Sequence, residues 1–318
     1  MISKRVGVNI TVALKSPDGF RFQGADKFRF NGIKMKDFMK FDLDLKSLHP
    51  LLRHALKEDG AWNDRTTKAV ISPKIKSRGE LLAKADGVLA GLPVFSEVFK
   101  LVDKRCKMKA IKKEGDRVRV GMVVAKLEGP AGALLSGERV ALNLLSRLSG
   151  VATLTRKFSE LVKGSRVYDT RKTTPLFRVL ERYAVRVGGG KNHRFNLAGH
   201  VLIKDNHLRL GGGVYACVKA ARKKYGPDEF VEVEVENFAQ ASEALRAGAN
   251  ILLVDNADPR IFNDILRLVK GKMQVETSGG LTLKNIGRYS RLAVDRFSSG
   301  SLTHSAPSID FSLEFYPR

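Results

Sequence analysis

Cysteine is scarce, with Cys106 and Cys217 the only two in 318 residues. They stand far apart and without metal-ligand spacing, which points to free thiols rather than a disulfide framework or a zinc site. Long apolar runs are also missing. No stretch approaches the ~20 apolar residues that cross a bilayer, and Val6–Leu14 is broken by Asn9 and Thr11, so neither a membrane span nor a secretory segment is expected and the chain reads as cytoplasmic. Acidic residues are few: 33 Asp+Glu stand against 57 Lys+Arg, a formal charge of +24. Such an excess favours anionic partners. Nucleic acid is disfavoured as that partner, because the charge is spread along the whole chain with no aromatic-rich RNA-binding signature and no zinc-finger spacing.

What is present is enough chain to bury more than one modest core, so two domains or one domain with an appendage are expected. Residues 1–40 carry nine Lys/Arg and three Asp, a net +6. This stretch, taken as a basic extension over 1–41, reads either as a small β appendage or as a segment upstream of a start near Met39. From Lys74 to Pro130, stretches such as "GELLAKADGVLAG" and "KKEGDRVRVGMVVAKLEGPAG" alternate apolar and polar residues between turn signals, the pattern of short antiparallel strands. The second is similar to the hammerhead of biotinyl and lipoyl carrier domains. Gly129, Pro130 and Ala131 follow Glu128 where a carrier needs its lysine, so a structural sandwich domain is the better reading.

After Gly137 the rhythm changes. "ERVALNLLSRLSGVATLTRKFSELV" has helical spacing, with Ser136 as its cap. Short apolar strands then alternate with amphipathic helices: Val167–Asp169, helix 175–187, Val201–Lys204, helix 214–225, Val231–Val235, helix 238–247, Ile251–Asp255, helix 259–270, Met273–Thr277, helix 282–290, and a strand near Val294–Phe297. The later strands begin at 231, 251, 273 and 294, the steady step of a repeated βα unit. Polar residues recur at the C-terminal end of nearly every strand, which suits a TIM-like α/β barrel, where those ends converge on one mouth. The fold class is therefore α/β. An α/β sandwich over 42–137, joined again by the tail 307–318, is expected beside a catalytic barrel over 138–306.

The strand ends collect chemistry: Thr170, Arg171 and Lys172; Lys204 with Asp205, Asn206 and His207; Glu234; Asp255 and Asn256; Glu276, Thr277 and Ser278; Ser299 and Gly300. The loop "GGGKNHR" adds His193 and Arg194. Any one of these suits a solvated strand end, but the set at one mouth points to function. Two like charges ~4 Å apart at an effective dielectric of ~20 repel by roughly 4 kcal/mol, so such a cluster wants anionic ligands. Arginines 171 and 194 offer the planar fork that suits carboxylates, whereas Lys172 and Lys204 are point charges for phosphate or carboxylate. "SGG" at 278–280 and "SSGS" at 298–301 are small-residue turns whose N–H groups can cup a phosphate. Glu234 and Asp255 can hold ribose hydroxyls or Mg²⁺, or stabilise a cationic sugar.

In combination, "EDGAWNDRTT" (58–67), "GERVALNLLSRLSGVATLT" (137–155), "DTRKTTP" (169–175), "YAVRVGGGKNHR" (183–194), "LIKDNH" (202–207), "VEVEVEN" (231–237), "LLVDN" (252–256), "ETSGG" (276–280) and "SGSLTHSAPSIDFSL" (299–313) resemble the quinolinate phosphoribosyltransferase family, the carboxylating nicotinate-nucleotide pyrophosphorylases. The resemblance runs from about residue 42 to the end. It implies an open α/β sandwich packed on a type II phosphoribosyltransferase barrel, in a dimer or a hexamer built of dimers whose site borrows residues from the neighbour. It also implies the conversion of quinolinate and phosphoribosyl pyrophosphate to nicotinate mononucleotide, pyrophosphate and CO₂ in NAD synthesis. By motif, Arg139 (across the dimer), Arg171, His193, Arg194 and Lys204 would surround the quinolinate carboxylates, with Thr170 beside them. Lys172, Glu234, Asp255, Ser278, Gly279, Gly280, Ser299, Gly300, Ser301 and His304 would hold phosphoribosyl pyrophosphate, with Lys172, Glu234 and Asp255 nearest the chemistry. Mg²⁺ would ride on the phosphates, with Glu234 or Asp255 as its possible protein ligands. Leu176 and Gly199 depart from the pattern, standing where relatives usually carry glycine and often aspartate. Two rivals stay open: a paralogue acting on another aromatic acid, and a basic nucleic-acid-binding protein.

Overall fold

The computed structural model describes residues 43–162, 166–255, 259–290 and 292–317. The basic segment 1–41 and Asn256 lie outside the described residues. Helix α1 (Leu45–Glu58) starts at Asp44, whose carboxylate accepts from the N–H groups of Lys46 and Ser47, and buries Leu48, Leu52 and Leu56 along one face. The short α2 (Arg65–Val70) is capped in the same way by Asp64.

An antiparallel sheet follows, built from β1 (Lys76–Ala83), β3 (Lys107–Ala110) and β5 (Val123–Pro130) and completed by the C-terminal β12 (Phe311–Pro317), in the order β12-β1-β5-β3. Its inner face alternates: Ser77, Gly79, Leu81 and Ala83 of β1 are more covered than their neighbours, the period-2 signature of a sheet with one buried face. The small pair β2 (Gly87–Val88) and β4 (Arg117–Val118) and helix α3 (Leu92–Val102) close this part of the structure.

Helix α4 (Ala131–Leu161) runs straight on from β5. The start read at Ser136 is thereby corrected: Pro130 occupies the cap, and the Ser136 hydroxyl donates sideways to Asp64 at 3.2 Å inside the helix. At ~1.5 Å per residue α4 spans roughly 46 Å, so one element carries both the face that meets α3 and the face that meets the barrel helix α5 (Arg178–Val187).

The barrel sheet is parallel throughout. Its six strands β6 (Val167–Tyr168), β7 (Val201–Ile203), β8 (Val231–Val235), β9 (Ile251–Asp255), β10 (Gln274–Ser278) and β11 (Arg296–Ser298) run in the order β6-β11-β10-β9-β8-β7. The intervening helices are α6 (Asp205–Gly211), α7 (Val214–Tyr225), α8 (Phe238–Ala247), α9 (Pro259–Val269), α10 (Ile286–Tyr289) and α11 (Ser301–His304). Beyond β6, Lys191 adds a single parallel bridge to Tyr168. On β8, Val231, Val233 and Val235 are fully buried, while Glu232 and Glu234 are buried on the opposite side of the pleat.

Element ends differ from the pattern reading where local chemistry intervenes. Helix α5 begins at Arg178 rather than 175, because Thr174–Phe177 forms a turn closed by Phe177 N–H donating to Thr174 O at 3.1 Å. Strand β7 stops at Ile203, and Lys204 becomes the N-cap of α6, its own N–H held by His207 Nδ1 at 2.9 Å. The helix expected over 282–290 is reduced to one turn, α10.

Candidate active site

The residues singled out in the sequence fall at the C-terminal ends of the barrel strands. Arg171 and Lys172 follow β6, Lys204 follows β7, Glu234 lies near the end of β8, Asp255 ends β9, Ser278 ends β10, and Ser299–Ser301 follow β11. Parallel pairing sets Ser278 beside Asp255 and Val235 beside Val254, which aligns these ends.

The deepest layer is a cluster of charge in the barrel. His193 Nε2 lies 3.3 Å from Glu232 and 3.4 Å from Glu276, and its side chain is 6% exposed while both carboxylates are fully buried. His200 Nε2 meets Glu232 at 3.0 Å from the other side. Burial opposes a charge on His193, yet hydrogen bonds to Glu232 and Glu276 outweigh it and raise the imidazole to about 10. Burial likewise works against ionised Glu232, and His193 and His200 overcome it, holding the carboxylate down at about 2. Ligand atoms of His193, His200 and Glu232 lie within 4.8 Å of one another. The two buried carboxylates favour the imidazolium form of His193 at this place.

Asp169, at the end of β6, fixes the loop that delivers His193: it accepts from His193 N–H at 2.7 Å and from Asn192 Nδ2 at 2.6 Å. Its burial raises the carboxyl above its ordinary value, opposed chiefly by the Arg182 guanidinium 3.5 Å away. His193 and His200, ring centroids 5.4 Å apart, face each other between the Lys191 stub and β7. Side chains rather than a backbone ladder thus bridge the two edges of the sheet there, among the described residues.

Above this layer sit two arginines whose donors are not satisfied. The Nε atoms of Arg171 and Arg194 are buried and have no hydrogen-bond partner. Arg194 spends Nη1 on His200 O at 3.1 Å. Burial first, and then the neighbouring Arg171 guanidinium, lower its pKa from the usual arginine value. Arg178 braces both loops, donating to Thr173 Oγ1 at 3.0 Å, to Phe195 O at 3.1 Å and to Arg171 O at 3.4 Å. Two half-buried, mutually repelling guanidiniums, each with a buried Nε that no protein group satisfies, suit carboxylate oxygens as ligands.

Lys204 Nζ is 2.5 Å from Glu234, which is 8% exposed. Lys172 is exposed, and its stem crosses Gly300: a Cβ on that glycine would stand 2.8 Å from Lys172 Cδ and 3.1 Å from the His304 ring. A glycine is therefore required for the lysine to lie over the turn. Gly279 and Gly280 have φ of 89° and 54°, left-handed backbone that presents the turn's N–H groups. Three of the expected ligand side chains are occupied internally. Ser299 Oγ and Ser301 Oγ donate to Leu281 O at 2.9 and 3.2 Å, and Thr170 Oγ1 accepts from Lys172 N–H at 3.1 Å, so all three shape loops. Arg139 is exposed on α4, two helical turns from the residues of that helix that touch the barrel mouth loops. The sequence reading passed over Glu232, His200, Asp169, Arg147, Glu181 and Thr303. The alternation "VEVEV" reads as a strand with one solvated face, so the burial of Glu232 comes only from the barrel that encloses that face.

Such a barrel, with cations, two acids and two glycine turns at its C-terminal mouth and an α/β sandwich attached, defines a barrel phosphoribosyltransferase as a class. The N-terminal domain of quinolinate phosphoribosyl transferase matches residues 64–149, and its C-terminal domain matches residues 151–314. The probable nicotinate-nucleotide pyrophosphorylase (carboxylating) of Bacillus subtilis is 41% identical over 269 residues, covering 84% of this chain and 93% of that protein. The human nicotinate-nucleotide pyrophosphorylase (carboxylating) is 39% identical over 257 residues, 79% of this chain and 86% of that protein. Among solved structures, NadC from Streptococcus pyogenes superposes with a TM-score of 0.84 at 41% identity, covering 87% of this chain and 99% of that one. The nicotinate-nucleotide pyrophosphorylase from Francisella tularensis gives 0.81 at 31% identity, covering 86% and 98%. The chain belongs to the quinolinate phosphoribosyltransferase family.

Proposed function

We propose that this chain transfers the phosphoribosyl group of phosphoribosyl pyrophosphate to quinolinate and releases CO₂, forming nicotinate mononucleotide and pyrophosphate for NAD synthesis. The observation that carries the reading is the pair of neighbouring half-buried guanidiniums, Arg171 and Arg194, each with a buried, unpartnered Nε. With Lys204 and the His193 imidazolium they suit an acid bearing two adjacent carboxylates, and Arg139 of a second copy would complete the set in a homodimer or a hexamer built of dimers. Lys172, His304 and the turns at Ser278–Gly280 and Ser299–Ser301 suit the phosphates.

In this reading the pyridine nitrogen attacks the anomeric carbon as the bond to pyrophosphate breaks. Cationic character on the ribose is stabilised by the carboxylates of Glu234 and Asp255, while Lys172 and the turn N–H groups take up charge on the leaving group. The nitrogen becomes a pyridinium. It accepts the electron pair left when the adjacent carboxylate departs as CO₂, and a proton then takes the carboxylate's place on that carbon. Arginines 171 and 194 hold the retained carboxylate so that the ring does not turn. Mg²⁺ prefers oxygen ligands and keeps substrate phosphates among them. The Glu234 and Asp255 carboxylates at neighbouring strand ends fit it, and it would supply charge neutralisation at the pyrophosphate. No helix among the described residues is long and apolar enough to cross a membrane.

The test is turnover by the purified protein with phosphoribosyl pyrophosphate and either quinolinate or nicotinate, following CO₂ and mononucleotide together. Stoichiometric CO₂ and mononucleotide from quinolinate are expected. Mononucleotide formed from nicotinate alone would instead identify a paralogue of different specificity.

A further inference from the structure

The loop that offers Arg171 to the carboxylates and Lys172 to the phosphates is tied to the phosphate turn at 300–304 through groups that touch neither substrate. The hydroxyl of Thr303, a fully buried residue of α11, donates to Lys172 O at 2.8 Å and lies 3.1 Å from Gly300 O. The carbonyl of Thr303 accepts from Arg147 Nη2, and Ala306 O accepts from Arg147 Nη1 at 2.9 Å. The same guanidinium grips Glu181, with Nε at 3.1 Å and Nη2 at 2.7 Å from Oε1. Glu181 is fully buried and holds the far end of the first loop, accepting from Thr174 N–H at 3.0 Å and from Thr174 Oγ1 at 2.9 Å. The Arg171–Lys172 loop is therefore pinned at both ends, by Thr303 and by Glu181. Both pins converge on Arg147.

We propose that Thr303, Arg147 and Glu181 are positioning residues that couple the carboxylate subsite to the phosphate subsite, so that phosphates seated on the Gly300–His304 turn order the Arg171 loop for the dicarboxylate. This inference rests on the assignment of quinolinate and phosphoribosyl pyrophosphate to the two subsites. Ordering of a shared loop is met once, by whichever ligand binds first, which makes the coupling favourable. Repulsion between the two bound anions works in the opposite sense and does not pass through Thr303. Cutting the bridge therefore weakens the favourable part and leaves the repulsion together with the direct contact of Lys172.

The experiment measures binding of benzene-1,2-dicarboxylate, which has the two adjacent carboxylates but no ring nitrogen to react, by calorimetry with and without saturating phosphoribosyl pyrophosphate and Mg²⁺. In the wild type, phosphoribosyl pyrophosphate is expected to tighten dicarboxylate binding about fivefold or more, within the usual span of coupling between sites. Thr303→Val, which keeps the side-chain shape and removes the hydroxyl, should bind each ligand alone within about threefold of the wild type while the coupling falls. Thr303→Ser should restore it. A merely structural role for Thr303 would weaken both single-ligand affinities and leave their ratio unchanged, which would overturn the proposal. Full coupling retained in Thr303→Val, or binding without coupling in the wild type, would also overturn it. Failure of the wild type to bind either ligand would remove the functional reading together with this inference.

Discussion

Replacing His193 by glutamine keeps a hydrogen-bond donor near Glu232 and Glu276 but removes the charge between them. Raising an imidazole from 6.5 to about 10 corresponds to about 5 kcal/mol, at roughly 1.4 kcal/mol per tenfold in proton affinity. Removing one partner of a buried ion pair costs about 3–5 kcal/mol, so we expect a deficit in that range at its maximum. The sign follows from linkage. Because the folded-state pKa of His193 is raised, its contribution is complete below pH 6.5 and is lost as pH climbs through about 10. Because that of Glu232 is lowered, the same bond seen from the acid is complete above pH 4.5 and is lost as pH falls toward about 2. In His193→Gln the buried carboxylates take up protons in the folded state, so the variant loses stability as pH rises from 5 to 7. The deficit should therefore be small near pH 5, largest near pH 6.5 and smaller again near pH 9. Urea unfolding at these three pH values reads it as a shift in midpoint at constant slope. A deficit that is the same at all three, or below about 1 kcal/mol throughout, would refute a charged His193.

Other perturbations test neighbouring parts of the site. Leu176 has φ of 67° and is 84% exposed, at the third position of a turn with Pro175 at the second, where a type II turn prefers glycine. Relief of about 1–2 kcal/mol of left-handed strain, less about 0.5–1 kcal/mol for glycine's freedom in the unfolded chain, predicts that Leu176→Gly raises Tm by about 1–3 °C; a fall in Tm would show that the side chain is held by contacts. Gly300→Ala should push Lys172 off the turn, raising KM for phosphoribosyl pyrophosphate with Tm nearly unchanged, and an unaltered KM would free Lys172 of its phosphate role. Arg171→Ala should abolish turnover while leaving stability equal or slightly higher, since it relieves repulsion with Arg194; near-normal turnover removes Arg171 from the mechanism.

The parallel strands were legible because short apolar runs such as "ILLVD" (251–255) recur at a nearly constant step, and a period needs no tertiary information. The strand-end residues could be read for the same reason, since a barrel sends all those ends to one mouth. Element boundaries were less legible. Ser136 has the chemistry of a cap, but the backbone after Pro130 is already helical, and a pattern cannot tell a used cap from an unused one. Glu276 was read as one more polar strand end, whereas it is fully buried and shares His193 with Glu232. That cluster depends on which face of each strand turns inward. The link from Arg147 to Glu181 and Thr303 was hidden more deeply. Its members stand on three separate elements, and each is an ordinary residue in its own stretch of sequence.

The central claim is that Arg171 and Arg194 hold unused donors for a ligand with two carboxylates. Calorimetric titration of the wild type with quinolinate and with nicotinate tests it most directly. One additional charge-assisted contact is worth about 1.5–3 kcal/mol, so quinolinate should bind roughly 10- to 150-fold more tightly than nicotinate. Equal affinity for the two acids would contradict the account.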